Sequence, residues 1–157
     1  MPEKFYLTKK GLKRIKKEYQ ELKKLKLTRI GEESPRIWYS EDLDPEYLAF
    51  REDLSLLETR LADLEYILKN IELIKIPPKE KRNIVNLGAT VTLEEADGGI
   101  NEFMIVGTLE ANPSAGKISS ESPIGRALFG KKVGDKVIIT SPTNVVYKIK
   151  KIKYQLN

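Results

Sequence analysis

Ser40-Glu41-Asp42-Leu43-Asp44-Pro45-Glu46 packs four carboxylates into seven residues, with a long helical pattern on each side. Asp44-Pro45 reads as an N-cap followed by the first helical residue, because proline loses no backbone bond there and its φ is already helical. Tyr47, Phe50, Leu54, Leu57, Leu61, Leu64, Leu68 and Ile71 then recur at alternating spacings of 3 and 4. That period is a coiled-coil seam. A helix of about 29 residues is roughly 43 Å long. Alone in water it is marginal, so the pattern demands a partner.

The partner lies upstream. Phe5-Tyr6-Leu7 precedes Thr8, an N-cap for a helix that starts at Lys9, and Leu7 and Leu12 stand at staple positions. Leu12, Ile15, Tyr19 and Leu22 form a seam with 3-4-3 spacing, while Lys13, Lys16, Lys17, Lys23 and Lys24 fill the outer positions. After Leu27 and Ile30 the seam loosens, and Gly31 and Pro35 weaken or kink the helix. Trp38 and Tyr39 follow, close to the acidic stretch and suited to packing at the hairpin end or to contact with a partner. Folded back on each other, the two helices place residues 40–46 at the tip. Charge agrees with this pairing: residues 1–30 carry eleven Lys/Arg and three acids, and residues 31–65 carry three Lys/Arg and eleven acids. Screening holds each exposed pair to about 0–1 kcal/mol, so the asymmetry sets pairing and field more than stability. The lysines have two readings, a solvated coiled-coil face or a surface that meets an anionic partner.

Composition narrows the chemistry. The 157 residues are 40% hydrophobic and 32% charged, somewhat polar for a globule, with a formal charge of +5. The pI of about 9.2 is mildly basic. The chain has no Cys and no His, which excludes thiol chemistry, disulfides, Cys/His zinc sites and a His general base. Metal or acid–base chemistry therefore falls to carboxylates. No signal peptide is visible, and no run of about 18 apolar residues exists to span a membrane, so a cytoplasmic protein, a monomer, is expected.

The C-terminal half changes character. Ile76-Pro77-Pro78-Lys79-Glu80-Lys81-Arg82-Asn83 reads as a linker. Strands are predicted over Leu87–Leu93, Asn101–Gly107, Lys136–Thr140 and Val145–Tyr154, with a hairpin turn at Asp97-Gly98-Gly99. Ser122-Pro123 opens a short helix through Leu128, and Gly130 closes it. The expected fold is α+β: an N-terminal antiparallel coiled coil over 1–76, a linker over 77–84, and a small antiparallel β domain with one short helix over 85–157.

In order, these pieces resemble the bacterial Gre family of transcript cleavage factors, GreA and GreB. The resemblance rests on Leu7-Thr8-Lys9-Lys10-Gly11, Asp42-Leu43 with Glu46-Tyr47, Leu57-Glu58-Thr59-Arg60-Leu61, Leu87–Thr92, Ile105-Val106-Gly107 and, most specifically, Ile118–Gly130 followed by Gly134-Asp135. It implies a C-terminal domain of the FKBP-like type that docks on bacterial RNA polymerase at the rim of the secondary channel. It implies Ser122, Pro123, Ile124 and Gly125 as partner-binding residues. It also implies a coiled coil that carries its acidic tip to the polymerase active site, near the nascent RNA 3′ end. There Asp42 and Asp44 would help hold a Mg²⁺ shared with the polymerase, which cuts backtracked RNA itself; the factor is not an enzyme. Carboxylates suit that ion, and two such ions suit phosphodiester cleavage. The family tip reads Asp-Leu, one variable residue, Glu-Asn-Ala and Glu-Tyr; here two residues are missing. The second acid is Asp44, or Glu46 in another alignment, with Glu41 nearby. Asp44 also fits the N-cap role, and Glu46 the helix dipole. Superfamily members with altered tips inhibit the polymerase without stimulating cleavage, which is the alternative function. A proline isomerase would need an aromatic-lined pocket, and residues 85–157 hold only Phe103, Phe129, Tyr147 and Tyr154.

Overall fold

Thr8 does start a helix. Its hydroxyl accepts the Gly11 N–H at 3.1 Å, and helix α1 runs Lys9–Gly31. Helix α2 runs Pro45–Lys69 and begins at the proline whose fixed φ suits that position. This computed structural model describes residues 3–31, 45–140 and 144–155. The chain divides into two compact units, residues 13–70 and residues 1–12 with 71–157.

In the first unit α1 and α2 are antiparallel, since later residues of α1 meet earlier residues of α2. Glu18 pairs with Arg60, Lys26 with Glu58 and Arg29 with Asp53. Ile15 on α1 and Leu57, Leu61, Leu64 and Ile67 on α2 are buried. Ile67 takes a place that the periodicity assigned to Leu68, which is half-buried. Ile71 lies outside the helix altogether, because α2 ends at Lys69. On α1 the seam does loosen: Leu27 is 71% exposed and Ile30 45%. The 3-4 rhythm continues instead through Lys26 and Arg29, both half-buried, whose aliphatic stems cover the seam while their charges reach acids of α2.

In the second unit, two short strands that periodicity missed, β1 (Phe5–Leu7) and β2 (Ile71–Leu73), pair in parallel with Phe5 opposite Ile71. Three residues are too few to show an alternation, and this pairing joins segments far apart in sequence. Lys4 and Glu72 add an ion pair at 3.2 Å across it. The main sheet holds β3 (Ala89–Glu95), β4 (Ile100–Val106), β5 (Lys117–Ser119), β6 (Lys136–Ile139) and β7 (Val145–Tyr154), in the order β5-β4-β3-β7-β6. Three of its pairings are antiparallel; β5 lies parallel to β4, which makes the sheet mixed. Asp97-Gly98-Gly99 is the β3–β4 turn, with Gly98 at φ +91° and the Asp97 carboxylate accepting the Gly99 N–H at 2.9 Å. One face of the sheet is covered by helix α3 (Pro123–Leu128), whose Leu128 joins Val91, Leu93, Ile105, Val137 and Ile149 in the core. Within the stretch predicted as linker, Lys79–Lys81 makes a 3-10 turn and Ile84 bridges to Lys132.

Candidate functional site

Two places concentrate the candidate functional side chains, and a third holds a buried carboxylate at a helix start. The first is the stretch joining the C-terminal end of α1 to the N-terminal end of α2. Glu41, Asp42 and Asp44 fall in it and lie outside the described residues, as do Pro35, Trp38 and Tyr39. Glu46 is described: it stands exposed in the first turn of α2, where a carboxylate suits the helix dipole.

The hairpin that leads to this stretch is held electrostatically as well as by its seam. Arg60 donates two hydrogen bonds to the Glu18 carboxylate, at 2.8 and 3.0 Å, in the planar fork that suits a guanidinium. Those bonds hold the Arg60 guanidinium further toward its charged form. Tyr19 donates its O–H to Glu65 at 2.8 Å, and this bond to a carboxylate raises the phenol above its ordinary 10.0. Lys23 stands 5.2 Å from the centre of the Tyr19 ring. Among the described residues, Lys26–Glu58 and Arg29–Asp53 place the cation on α1, and Arg60–Glu18 reverses the sense.

The second place is α3. Ser122 caps it: its oxygen accepts the Gly125 N–H at 3.1 Å and its hydroxyl donates to the Ser119 carbonyl at 2.7 Å. Gly125 is buried, and a Cβ there would overlap the Ser119 carbonyl oxygen, so only glycine lets α3 lie this close to β5. Ile124 packs against the core. Of the four residues implied as partner-binding, three are therefore engaged in building α3, and Pro123 is the exposed one. Beside it Arg126 is exposed and Phe129 is 44% exposed. Phe129 borders a cleft of about 520 Å³ that also takes in Tyr6, Leu87, Leu109 and Glu121.

The third place had no local signal. Glu110 is 5% exposed and accepts both the Thr8 N–H at 2.5 Å and the Thr8 hydroxyl at 2.7 Å. Its carboxyl occupies the space a Cβ on Gly11 would need. A charge placed on the N-terminus of α1 from a residue about a hundred positions away is invisible to any window read along the chain. The one hint was a glycine in the first turn of a helix.

Among the described residues no cluster of carboxylates is placed to hold a metal ion, and no helix is long and apolar enough to cross a membrane.

Comparison with known proteins covers nearly the whole chain. Residues 5–73 match the family model "Transcription elongation factor, N-terminal", and residues 79–154 match "Transcription elongation factor, GreA/GreB, C-term". The chain is 38% identical to the transcription elongation factor GreA of Thermomicrobium roseum, over 92% of this chain and 93% of that one. It is 39% identical to GreA of Clostridium acetobutylicum, over 96% and 97%. Among solved structures, GreA factor homolog 1 of Thermus thermophilus is 25% identical with a TM-score of 0.43, over 96% of this chain and 99% of that one.

Proposed function

The chain belongs to the GreA/GreB family of transcription elongation factors, and on that premise we propose that it enters the secondary channel of RNA polymerase and stimulates the polymerase's own cleavage of backtracked RNA. The observation that carries this reading is the antiparallel pairing of α1 and α2, with α2 opening at Pro45 directly behind Asp42 and Asp44. Connectivity then puts those carboxylates in the segment that links the two helix ends. Helices of 23 and 25 residues are about 34 and 37 Å long, enough to reach down a channel of nanometre depth.

The donor set fits the proposed ion. Asp42 and Asp44 offer hard oxygen ligands, and no Cys or His competes for a softer metal. Mg²⁺ bound there supplies Lewis acidity at the scissile phosphate. Asp44 stands directly before the first residue of α2, so capping and metal binding share its oxygens, and Asp42 carries the larger part of the ligation. The polymerase provides the remaining catalytic groups, and the face of α3 with Pro123, Arg126 and Phe129 docks the factor on it.

The test is cleavage by stalled, backtracked complexes with and without the protein. Stimulation is expected, and Asp42→Ala abolishes it while leaving polymerase binding intact. Full stimulation by an Asp42→Ala/Asp44→Ala variant would remove the tip chemistry from the reading. Slowed elongation with no gain in cleavage would establish the inhibitory function in its place.

A further inference from the structure

The main sheet has two edges, and they are finished differently. At β5, Asn112 exchanges two backbone hydrogen bonds with Lys117, at 2.8 and 3.1 Å, and Gly125 brings α3 against the Ser119 carbonyl. At the other end β6 is the outermost strand. Just before β6, the Ile149 N–H donates to the Asp135 carbonyl at 2.9 Å. Antiparallel ladders alternate, so Val137 and Ile139 continue that bonding toward β7. Lys136, Ile138 and Thr140 therefore turn their N–H and C=O groups to the open edge. Among the described residues no backbone bond outside the β6–β7 ladder reaches these three.

Edge strands are commonly blunted by charge, proline or a bulge. Here Lys136 begins the strand, and Val137, Ile138 and Ile139 follow it. Ile138 is 62% exposed, and its cross-strand neighbour Val146 is 43% exposed. The strand is complementary to itself. Turned about a two-fold axis through Ile138, it lies antiparallel to its own copy. Ile138 then meets the second copy's Ile138, and Lys136 and Thr140 meet each other at both ends. Each of these three outward-facing pairs exchanges two backbone hydrogen bonds. Val137 meets Ile139 on the core face, where each is already buried. On the opposite face Val146 of each copy flanks the two Ile138 side chains, so a row of four apolar groups leaves water. The two Lys136 side chains start about 14 Å apart, beyond the screening length at physiological salt. An axis through Val137 instead would lose one bonded pair and set Lys136 against Ile138. A foreign strand would have to supply this whole pattern, whereas a second copy supplies it by symmetry.

We propose that β6 is a self-association edge: two copies of the chain pair through residues 136–140, antiparallel about Ile138, and join their sheets into one. The contact is isologous and closes at a dimer. Five residues a side fall well short of a standard interface of about 1,600 Å², so the dimer is weak and the monomer expected from the sequence is its dilute state.

The test is sedimentation equilibrium of the full chain from about 10 µM to about 1 mM. The average mass should rise from 17.9 kDa toward twice that value. Ile138→Lys opposes like charges at the axis and should weaken the dimer at least about tenfold. Ile100→Lys, at a residue 60% exposed on β4, should leave it unchanged. The chain has no cysteine, so single replacements report the register on mild oxidation. Ile138→Cys should cross-link to itself, since opposed residues of a bonded pair stand about 5.5 Å apart. Lys136→Cys alone should not, but mixed with Thr140→Cys it should. If Ile138→Lys does not melt like the natural protein, the cysteine variants decide alone. A mass that stays at 17.9 kDa up to about 1 mM overturns the proposal. So does association that Ile100→Lys abolishes and Ile138→Lys spares, or cross-linking of Lys136→Cys to itself in preference to Ile138→Cys. No polymerase is present, so failure here leaves the cleavage reading standing.

Discussion

Replacing Glu110 by alanine should be among the costliest single changes in the protein, although no function is assigned to that residue. Glu110 and Thr8 are 5% and 6% exposed, so water is a poor substitute for the lost acceptor. The carboxylate takes two hydrogen bonds from Thr8, at 2.5 and 2.7 Å. A bond to a charged group contributes about 1.5–3 kcal/mol, and two on one carboxylate do not add fully. A negative charge at the N-terminus of a helix contributes about 0.3–1 kcal/mol more. The expected loss is therefore about 3 kcal/mol, or about 6–12 °C in melting temperature for a chain of this size. Glu110→Gln keeps one acceptor and should lose about 1–2 kcal/mol. Thr8→Ala removes the cap and costs about 1 kcal/mol. The double variant should fall short of the sum by up to about 1 kcal/mol, because both changes break the bond from the Thr8 hydroxyl to the Glu110 carboxylate. Gly11 gives an internal check. Gly11→Ala clashes with the Glu110 carboxyl in the natural protein. In the Glu110→Ala background it should instead stabilise by up to about 1 kcal/mol through helix propensity. Urea unfolding followed by far-UV circular dichroism, with amide exchange at Gly11, measures all of these. A Glu110→Ala protein within about 0.5 kcal/mol of the natural one, additive with Thr8→Ala, would refute the reasoning.

Two other expectations follow from burial. Leu64 is fully buried, and Leu64→Ala should cost about 2–5 kcal/mol, whereas Leu27→Ala, at a residue 71% exposed, should stay within about 0.5 kcal/mol; equal losses in helix melting at 222 nm would contradict the seam. Tyr154 is half-buried, its hydroxyl donates to the Ile84 carbonyl, and burial raises its phenol above the ordinary 10.0. A raised folded-state value favours the protonated form, so its stabilising effect is complete below pH 10.0 and is lost as pH climbs through the folded value. Stability measured from pH 8 upward should fall more steeply in the natural protein than in Tyr154→Phe, and identical profiles would show that Tyr154 does not contribute.

Elements that carry their own signal along the chain were legible before any coordinates. The start of α1 at Lys9, the start of α2 at Pro45 and all of α3 follow from caps and prolines, which act within four residues. Strands β4, β6 and β7 came within a residue of their predicted bounds. The first predicted strand starts two residues late, at Ala89, because Asn86 and Gly88 form a turn: the Asn86 side chain accepts the Leu87 N–H, and Gly88 has φ +89°. Strands β1, β2 and β5 escaped because three residues cannot show a period. The tip acids were legible as an acidic stretch, and their geometry lies outside the described residues.

Local sequence alone determined the three helices and the longer strands, where α1 and α2 begin, and the opposite charges that pair them, because capping, φ restriction and periodicity act over a few residues. Tertiary structure alone decided that Glu110 caps the start of α1, that Lys26 and Arg29 complete its seam, and that Ile71 leaves the helix to pair with Phe5. Each of these joins residues distant along the chain, and only the folded backbone brings their atoms within bonding distance.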